Sequence, residues 1–560
     1  MPRIVSLYLQ KLLCIIWVVD LYRLIRYPKA QFIVWKDFWK TWNESSFIRR
    51  EKFPTIKDKV AIMIAMTDSV YELKLTAMAA LGLWMRGWHI IVLTNSPYNV
   101  WSHRYFKAFG MNYFIYWDNF DLTPQERKHC REEATTILSQ GITFQSLKSL
   151  TYRNCRIGSQ ILSAFSRAFK QGAFDIKDPL VKERIQKMLP KVIEVVYRSE
   201  RLIEQWKPNM VVLIEANYEV MGPFVDMANH KGVSVVQMVQ PYRDDAMIFK
   251  RLTPQSRRYH PVSISPSTFT EILQSPWTAE QEADLQEEFI RRYNGKWFLQ
   301  SRNQPNVHKR DRLELFAQLN LDPTKNVAIV FSHLLWDANL FYGEDLFEDY
   351  VDWFIETVRA ACGNPGVNWI LKLHPANIWK RRRDGDQSEL TEEILLREKI
   401  GPLPNHVKVV YPNTDISTFS LFEIADYGVT VRGTVGIELP CFGVLTLTAG
   451  TGRYSGMRFT NDSTTKMEYL KKLSNIQNLR EMSPEQILLA KRYAHALFFR
   501  RPWVMRSFKS VFQYLPRGAH PLDHNLLLRA SSMQEITKNG DLEKWATWAE
   551  DKGKVDYLDA

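Results

Sequence analysis

The chain has 560 residues, 45% hydrophobic and 24% charged, which is too apolar for disorder and long enough for two or three globular domains. Its 24 glycines and 26 prolines exclude collagen-like and linker-dominated architectures. Lys+Arg 74 against Asp+Glu 61 gives a net charge of +13, so anionic partners should be attracted. The five cysteines, Cys14, Cys130, Cys155, Cys362 and Cys441, carry no Cys-x-x-Cys spacing, which removes zinc-ribbon and disulfide-framework readings and fits a reducing cytosol.

The first segment, residues 1–58, is a basic and aromatic leader. Between Met1 and Lys59 stand 12 Lys/Arg against 5 acids, a net +7. Its uninterrupted apolar run, Leu12 to Val19, is far shorter than the ~20 residues of a spanning helix. No small-x-small cleavage site follows it, which argues against a signal peptide. Aromatic and basic residues then interleave through Tyr27, Phe32, Trp35, Phe38, Trp39 and Trp42. Two readings stay open: an element lying in an anionic membrane interface, or a helix docked on the body with its aromatics in the core. Nucleic-acid binding also uses basic-aromatic mixtures, but no recognition module is present.

From Lys59 the pattern alternates short apolar runs with helical stretches, as parallel sheets with crossover helices do. Val60–Met66 reads as a strand, Tyr71–Arg86 as a helix stopped by Gly87, His89–Thr94 as a second strand and Tyr113–Tyr116 as a third. A long helical region, about Thr123 to Trp206, precedes strands Met210–Ile214 and Val233–Met238, giving an N-terminal α/β domain over 59–260. Residues 261–320, polar and carrying a charged helix near Glu280–Arg292, read as a linker. A second α/β unit, 321–500, follows with strands Val327–Phe331, Trp369–Leu373, Val407–Val410, Tyr427–Thr430 and Val444–Thr448. Residues 501–560 read as C-terminal helices and tail. The expected fold is α/β, two facing doubly wound domains behind the helical leader, with chemistry at the carboxyl ends of the strands.

In the C-terminal unit Lys372-Leu-His-Pro runs from a strand into a turn. Pro375 disfavours helical geometry at His374 and fixes an imidazole at the strand mouth, where it could donate to a phosphate oxygen; an ordinary hydrogen-bonded loop histidine is the alternative. After strand 427–430, Gly433-Thr434 turn the chain into a helix whose first amides would face an anion, although plain helix capping leaves the same trace. Glu438, one turn beyond Thr434, would reach a ribose. The loop Thr448-Ala-Gly-Thr-Gly-Arg-Tyr-Ser-Gly456 offers Arg453 as an anion contact.

The order His-Pro, Asn413-Thr-Asp, Gly-Thr-x-Gly-x-Glu and Gly-rich loop, with Ser332-His-Leu-Leu-Trp-Asp-Ala-Asn339 upstream, resembles bacterial surface and capsule polysaccharide biosynthesis proteins of the GT-B glycosyltransferase type. The likeness covers mainly residues 325–460. It implies a nucleotide-sugar donor on the C-terminal domain, CMP-, UDP- or GDP-linked, with His374 and the Gly433-Thr434 turn at the phosphates and Glu438 at the ribose; Lys372, Pro375 and Arg453 complete the expected donor-binding set. A glycan or lipid-linked acceptor would meet the N-terminal domain. Polyol-phosphate transferases of CDP-glycerol type share the His-Pro layout, but commonly carry Asp-Tyr-Ser-Ser where this chain has Val431-Arg-Gly-Thr. Nucleotide-sugar 2-epimerases share the architecture as well and stand third, and a non-catalytic component of a polysaccharide assembly system is a further alternative.

The catalytic base is expected from the N-terminal domain: Asp68 after the first strand, which could equally cap the next helix, or Glu215 after the fourth. Asp337 is either structural or a substrate contact. No Asp-x-Asp stands at a strand end in a donor-binding position, and no His/Cys cluster suggests a metal, so metal-independent transfer with no cofactor is expected. The expected location is cytoplasmic, peripheral on the inner face of the cytoplasmic membrane if the leader binds lipid.

Overall fold

The computed structural model describes residues 16–559, apart from 57, 68, 242, 294–306, 338–339, 386, 514 and 516–521. Fully buried strands of Val, Ile, Leu and Met need helices on both faces, and the chain supplies them twice. In the N-terminal unit, β1 (Val60–Ile64), β2 (His89–Thr94), β3 (Phe114–Tyr116), β4 (Met210–Leu213) and β5 (Ser234–Val239) pair in parallel. β6 (Ala246–Leu252) adds antiparallel to β5. In the C-terminal unit, β7 (Val327–Phe331), β8 (Asn368–Lys372), β9 (Val407–Val410), β10 (Tyr427–Thr430), β11 (Leu445–Thr448) and β12 (Asn461–Asp462) run parallel in the order β12-β11-β10-β7-β8-β9.

Among the described strands, the N-terminal sheet reads β13-β6-β5-β4-β1-β2-β3. In each sheet the first and fourth strands of the unit are neighbours, so the winding direction reverses there and the loops part into a crevice. The two doubly wound units expected from the sequence are thus present. They meet loop to loop: the chain after β7 accepts bonds from the first unit across the junction, from Ser166 Oγ to the Trp336 carbonyl at 3.1 Å and from Asn217 Nδ2 to the Tyr342 hydroxyl at 2.8 Å.

The C-terminal segment, expected as helices and tail, also carries three strands. β13 (Trp503–Val504) closes the free edge of β6, and β14 (Phe508–Phe512) pairs with β15 (His524–Leu528) as a hairpin. Helix Asp541–Glu550 then packs on helix Val70–Met85, where Gly82 leaves room for the Trp545 ring. The chain therefore crosses from the first unit to the second and back. Arg501, wholly buried at the return crossing, donates to the carbonyls of Phe249, Pro261 and Tyr557 and pairs with Asp556 at 3.5 Å.

The described part of the leader forms helices Ile16–Arg26 and Pro28–Glu44. One face is docked on the body. Asp20 pairs with Arg104, and Asp37 takes the buried Lys74 ammonium at 2.9 Å and the Tyr105 hydroxyl at 2.6 Å. Ser45 Oγ donates to the Ala108 carbonyl at 2.7 Å.

Candidate functional site

A cavity of about 350 Å³ opens at the reversal point of the C-terminal sheet, between the loops after β7, β8 and β10. Lys372, His374, Pro375, Gly433, Thr434 and Arg453 all line it, as do His333, Arg432 and His260. Lys372 ends β8 and is 3% exposed. Among the described residues its ammonium has one hydrogen bond, to the Leu373 carbonyl at 3.3 Å, and no carboxylate in ion-pair range. Burial lowers its pKa to about 8, so it stays mostly charged at neutral pH while lacking a counter-ion.

His374 is placed beside it by the Ser332 hydroxyl, which accepts from the His374 amide at 2.9 Å. Its Nδ1 accepts from the Ala376 amide at 3.2 Å, so the neutral ring carries its proton on Nε2. Burial, with the Lys380 and Lys372 charges, lowers the His374 pKa to about 4. The side chain is thereby a neutral donor across the physiological range. His333 faces the opposite way chemically: its Nε2 accepts from the Val431 amide at 3.2 Å and leans on Thr430 Oγ1. Burial holds its pKa well below the usual value. It therefore orders the β10 turn.

The turn itself is tighter than its sequence suggested. The Gly433 amide is taken by Thr430 Oγ1 at 3.1 Å, and those of Gly436, Ile437 and Glu438 return to the Gly433 and Thr434 carbonyls. The amides expected to face an anion thus reduce to those of Thr434 and Val435, both in the cavity wall. Gly436 is required for a packing reason: a Cβ there would stand 1.9 Å from the Tyr454 hydroxyl, which donates to the Gly433 carbonyl. The Gly-rich loop after β11 braces the turn in this way. Arg453 from that loop donates to the Arg432 carbonyl at 2.9 Å, and Arg432 pairs with Asp345 and the Tyr350 hydroxyl.

Glu438 is on the same helix, Val435–Cys441, but does not line the cavity. Its carboxylate is buried against Arg292 at 3.2 Å, from the connecting helix Ala279–Tyr293. Position 438 therefore faces the linker rather than the crevice. Asp68 lies outside the described residues; the residue at the N-cap of the helix that follows is Ser69.

A second cavity, about 340 Å³, adjoins the first through Asp337, a wall of both. Glu215, Arg167, Lys170 and Tyr218 of the N-terminal unit face Trp336 and Lys380 of the other. Glu215 stands at the mouth of β4, opens into this cleft, accepts from the Asn217 amide at 3.0 Å and lies 3.6 Å from Arg167. Its side chain is 49% exposed at the cleft mouth, and the crowding of the cleft raises its pKa against the pull of that amide and of Arg167. Asp337 pairs with Lys380 and lies 3.5 Å from the Tyr218 hydroxyl. Tyr218 has φ +65°, a left-handed conformation costly for an aromatic residue. Its ring lies under the Arg167 guanidinium at 4.6 Å and edge-on to Phe341 at 5.0 Å. His333, the Arg432–Asp345 pair and Tyr218 were not singled out from the sequence. Of these, His333 left a trace there inside the Ser332–Asn339 motif, and Arg432 inside Val431-Arg-Gly-Thr.

No protein-family model and no curated protein matches the sequence. Solved structures similar to the chain include a β-Kdo 2,4 transferase, KpsC of Thermosulfurimonas dismutans, at 13% identity over 53% of this chain and 81% of that one, TM-score 0.29. S. aureus MnaA in complex with UDP is 10% identical over 79% of this chain and 92% of that one, TM-score 0.27. The UDP-GlcNAc 2-epimerase of Neisseria meningitidis, bound to UDP-GlcNAc, is 10% identical over 78% and 97%, TM-score 0.24.

Proposed function

We propose that the chain is a glycosyltransferase that holds a nucleotide-sugar donor in the C-terminal cavity and passes the sugar to a surface-polysaccharide or glycolipid acceptor. The observation that carries this reading is the Lys372 ammonium, buried with no counter-ion among the described residues, beside a neutral His374 whose proton sits on Nε2. A buried cation without a partner is costly unless an anion completes the site. A phosphate group supplies that charge and accepts from Nε2–H, from Lys372 and from the Thr434 and Val435 amides.

The acceptor hydroxyl attacks the anomeric carbon as the bond from that carbon to the phosphate oxygen breaks. Charge developing on the leaving phosphate is met by fixed donors rather than by water that must reorganise. The acceptor proton passes to a carboxylate on the facing wall. Glu215, with its raised pKa, is suited to that role, and Asp68 is the competing base. The Lys372 charge and the His374 Nε2–H donor together meet the leaving phosphate without assigning a step to a metal, so turnover should survive chelation by EDTA. The chain's place is the cytoplasmic side, where nucleotide sugars are made.

The test is a thermal-shift panel of CMP, UDP, GDP and CDP-glycerol on the wild type and Lys372→Met. One nucleotide at a hundredfold its Kd should stabilise the wild type by about 2.7 kcal/mol and leave Lys372→Met unmoved. A shift by none of them removes the reading. A shift by CDP-glycerol over all three nucleotides moves the assignment to polyol-phosphate transfer. Binding without turnover on any acceptor leaves a non-catalytic component of the assembly system.

A further inference from the structure

The two leader helices carry opposite chemistry on opposite faces. Inward, Ala30, Gln31, Val34 and Thr41 are buried, and Asp20 and Asp37 are both consumed by cations of the body, Arg104 and Lys74. Outward, Ile25 is 75% exposed, Phe32 67% and Trp39 57%, more than isolated surface apolar residues amount to on most proteins. Arg26, Lys29, Lys36 and Lys40 are exposed among them. Positions 29, 32, 36, 39 and 40 fall on one side of helix Pro28–Glu44 by the three-and-four spacing of a helix face. The fold thus turns the acids inward and leaves cations and aromatic rings facing out, with Glu44 at the end of the row beside Lys40, 3.8 Å away.

We propose that this face seats on an anionic lipid bilayer, Ile25, Phe32 and Trp39 entering the interface while Lys29, Lys36 and Lys40 meet lipid phosphates. Charge selects the occupant. A second copy would bring the same cations against each other, whereas a surface of anionic headgroups complements them and accepts the aromatic rings at the headgroup boundary. Among the described residues no helix is long and apolar enough to cross a membrane, so the contact is a seat on one leaflet. The inference is independent of the donor assignment.

The experiment is sedimentation of the full chain with phosphatidylcholine vesicles, with and without phosphatidylglycerol. Anionic vesicles should retain the protein at least about tenfold better than neutral ones, with retention falling as salt rises. Two variants divide the contributions: Ile25→Ser/Phe32→Ser/Trp39→Ser and Lys29→Glu/Lys36→Glu/Lys40→Glu. Because these side chains are exposed, both should melt with the wild type, yet each should lose about tenfold or more in retention. The proposal is overturned if the wild type stays in the supernatant, or if either variant binds as well as the wild type, which would move the contact elsewhere in the chain. Dimerisation of the wild type that the serine variant abolishes would equally overturn it, by making the face a protein interface.

Discussion

At the scale of single residues, the donor cavity is governed by where burial leaves protons and charges. His374→Ala removes the Nε2 donor and little packing, so transfer should fall by about 10²–10³-fold while the melting temperature stays near the wild-type value. Full turnover in a folded His374→Ala protein would leave the cavity without its central donor. The same histidines set an acid limit. His374 and His260 titrate at about 4 and about 3 in the folded chain, both lowered mainly by burial, against about 6.5 when unfolded. Between those values the unfolded chain binds more protons, so stability rises with pH there and is lost as pH falls from about 6.5 towards 4. Melting temperatures across that window should drop steeply, and less so in His374→Asn. An unchanged slope would mean that the ring is solvated.

At the scale of elements, the turn after β10 is a packed object. Gly436→Ala should cost about 1–3 kcal/mol by overpacking against Tyr454, and combining it with Tyr454→Ala should cost less than the two changes added. Additive losses would show that the ring has room to move. Glu438→Ala offers a sharper division. If the carboxylate serves Arg292, the variant loses several kcal/mol of stability, about 3–5 by analogy with broken buried pairs, and Arg292→Met/Glu438→Leu recovers much of it. Lost nucleotide affinity with an unchanged melting temperature would instead place Glu438 at the ribose.

The same element scale shows what was legible in advance. β7 and β8 announce themselves by short apolar runs, Val-Ala-Ile-Val-Phe and Trp-Ile-Leu, because a strand covered on both faces needs few polar residues. β6 is less legible, since Lys250 and Arg251 give its second half the look of a solvated stretch. Both are buried: Arg251 donates to the Trp548, Ala549 and Asp551 carbonyls, and the Lys250 backbone pairs antiparallel with that of Asp556. Those partners come some 300 positions later, beyond any local pattern. In the cavity, Lys372, His374 and Thr434 could be found because a strand-to-loop transition marks each. Asp345 and Arg432 are joined only by the fold, and the direction of the Glu438 carboxylate depends on a linker helix whose packing no motif encodes.

At the scale of the molecule, the two units are joined by crossings in both directions and by bonds across the cleft. Asp556 collects several of these ties, accepting from the Ser265 amide at 2.7 Å and pairing with Arg501. Asp556→Ala should therefore cost about 3–5 kcal/mol, since it strands a fully buried guanidinium, and chemical denaturation would read the loss directly. A cost under about 1 kcal/mol would mean that the Arg501 carbonyl contacts suffice on their own. Lys148 reaches Asp345 across the cleft at 3.6 Å, so Lys148→Met should loosen closure, raising the acceptor KM while donor affinity stays fixed.

The return of the chain through β13 has a consequence for biosynthesis. Until Trp503 and the helix Asp541–Glu550 leave the ribosome, the first unit lacks both the strand that covers the β6 edge and the helix that covers Val70–Met85. At roughly 5–20 residues per second, the nascent first half waits tens of seconds with an open sheet edge, the surface most prone to wrong pairing. Because residues 503–550 shield the unit built from residues 60–252, premature termination anywhere in the second unit releases a sticky first unit rather than a stable fragment.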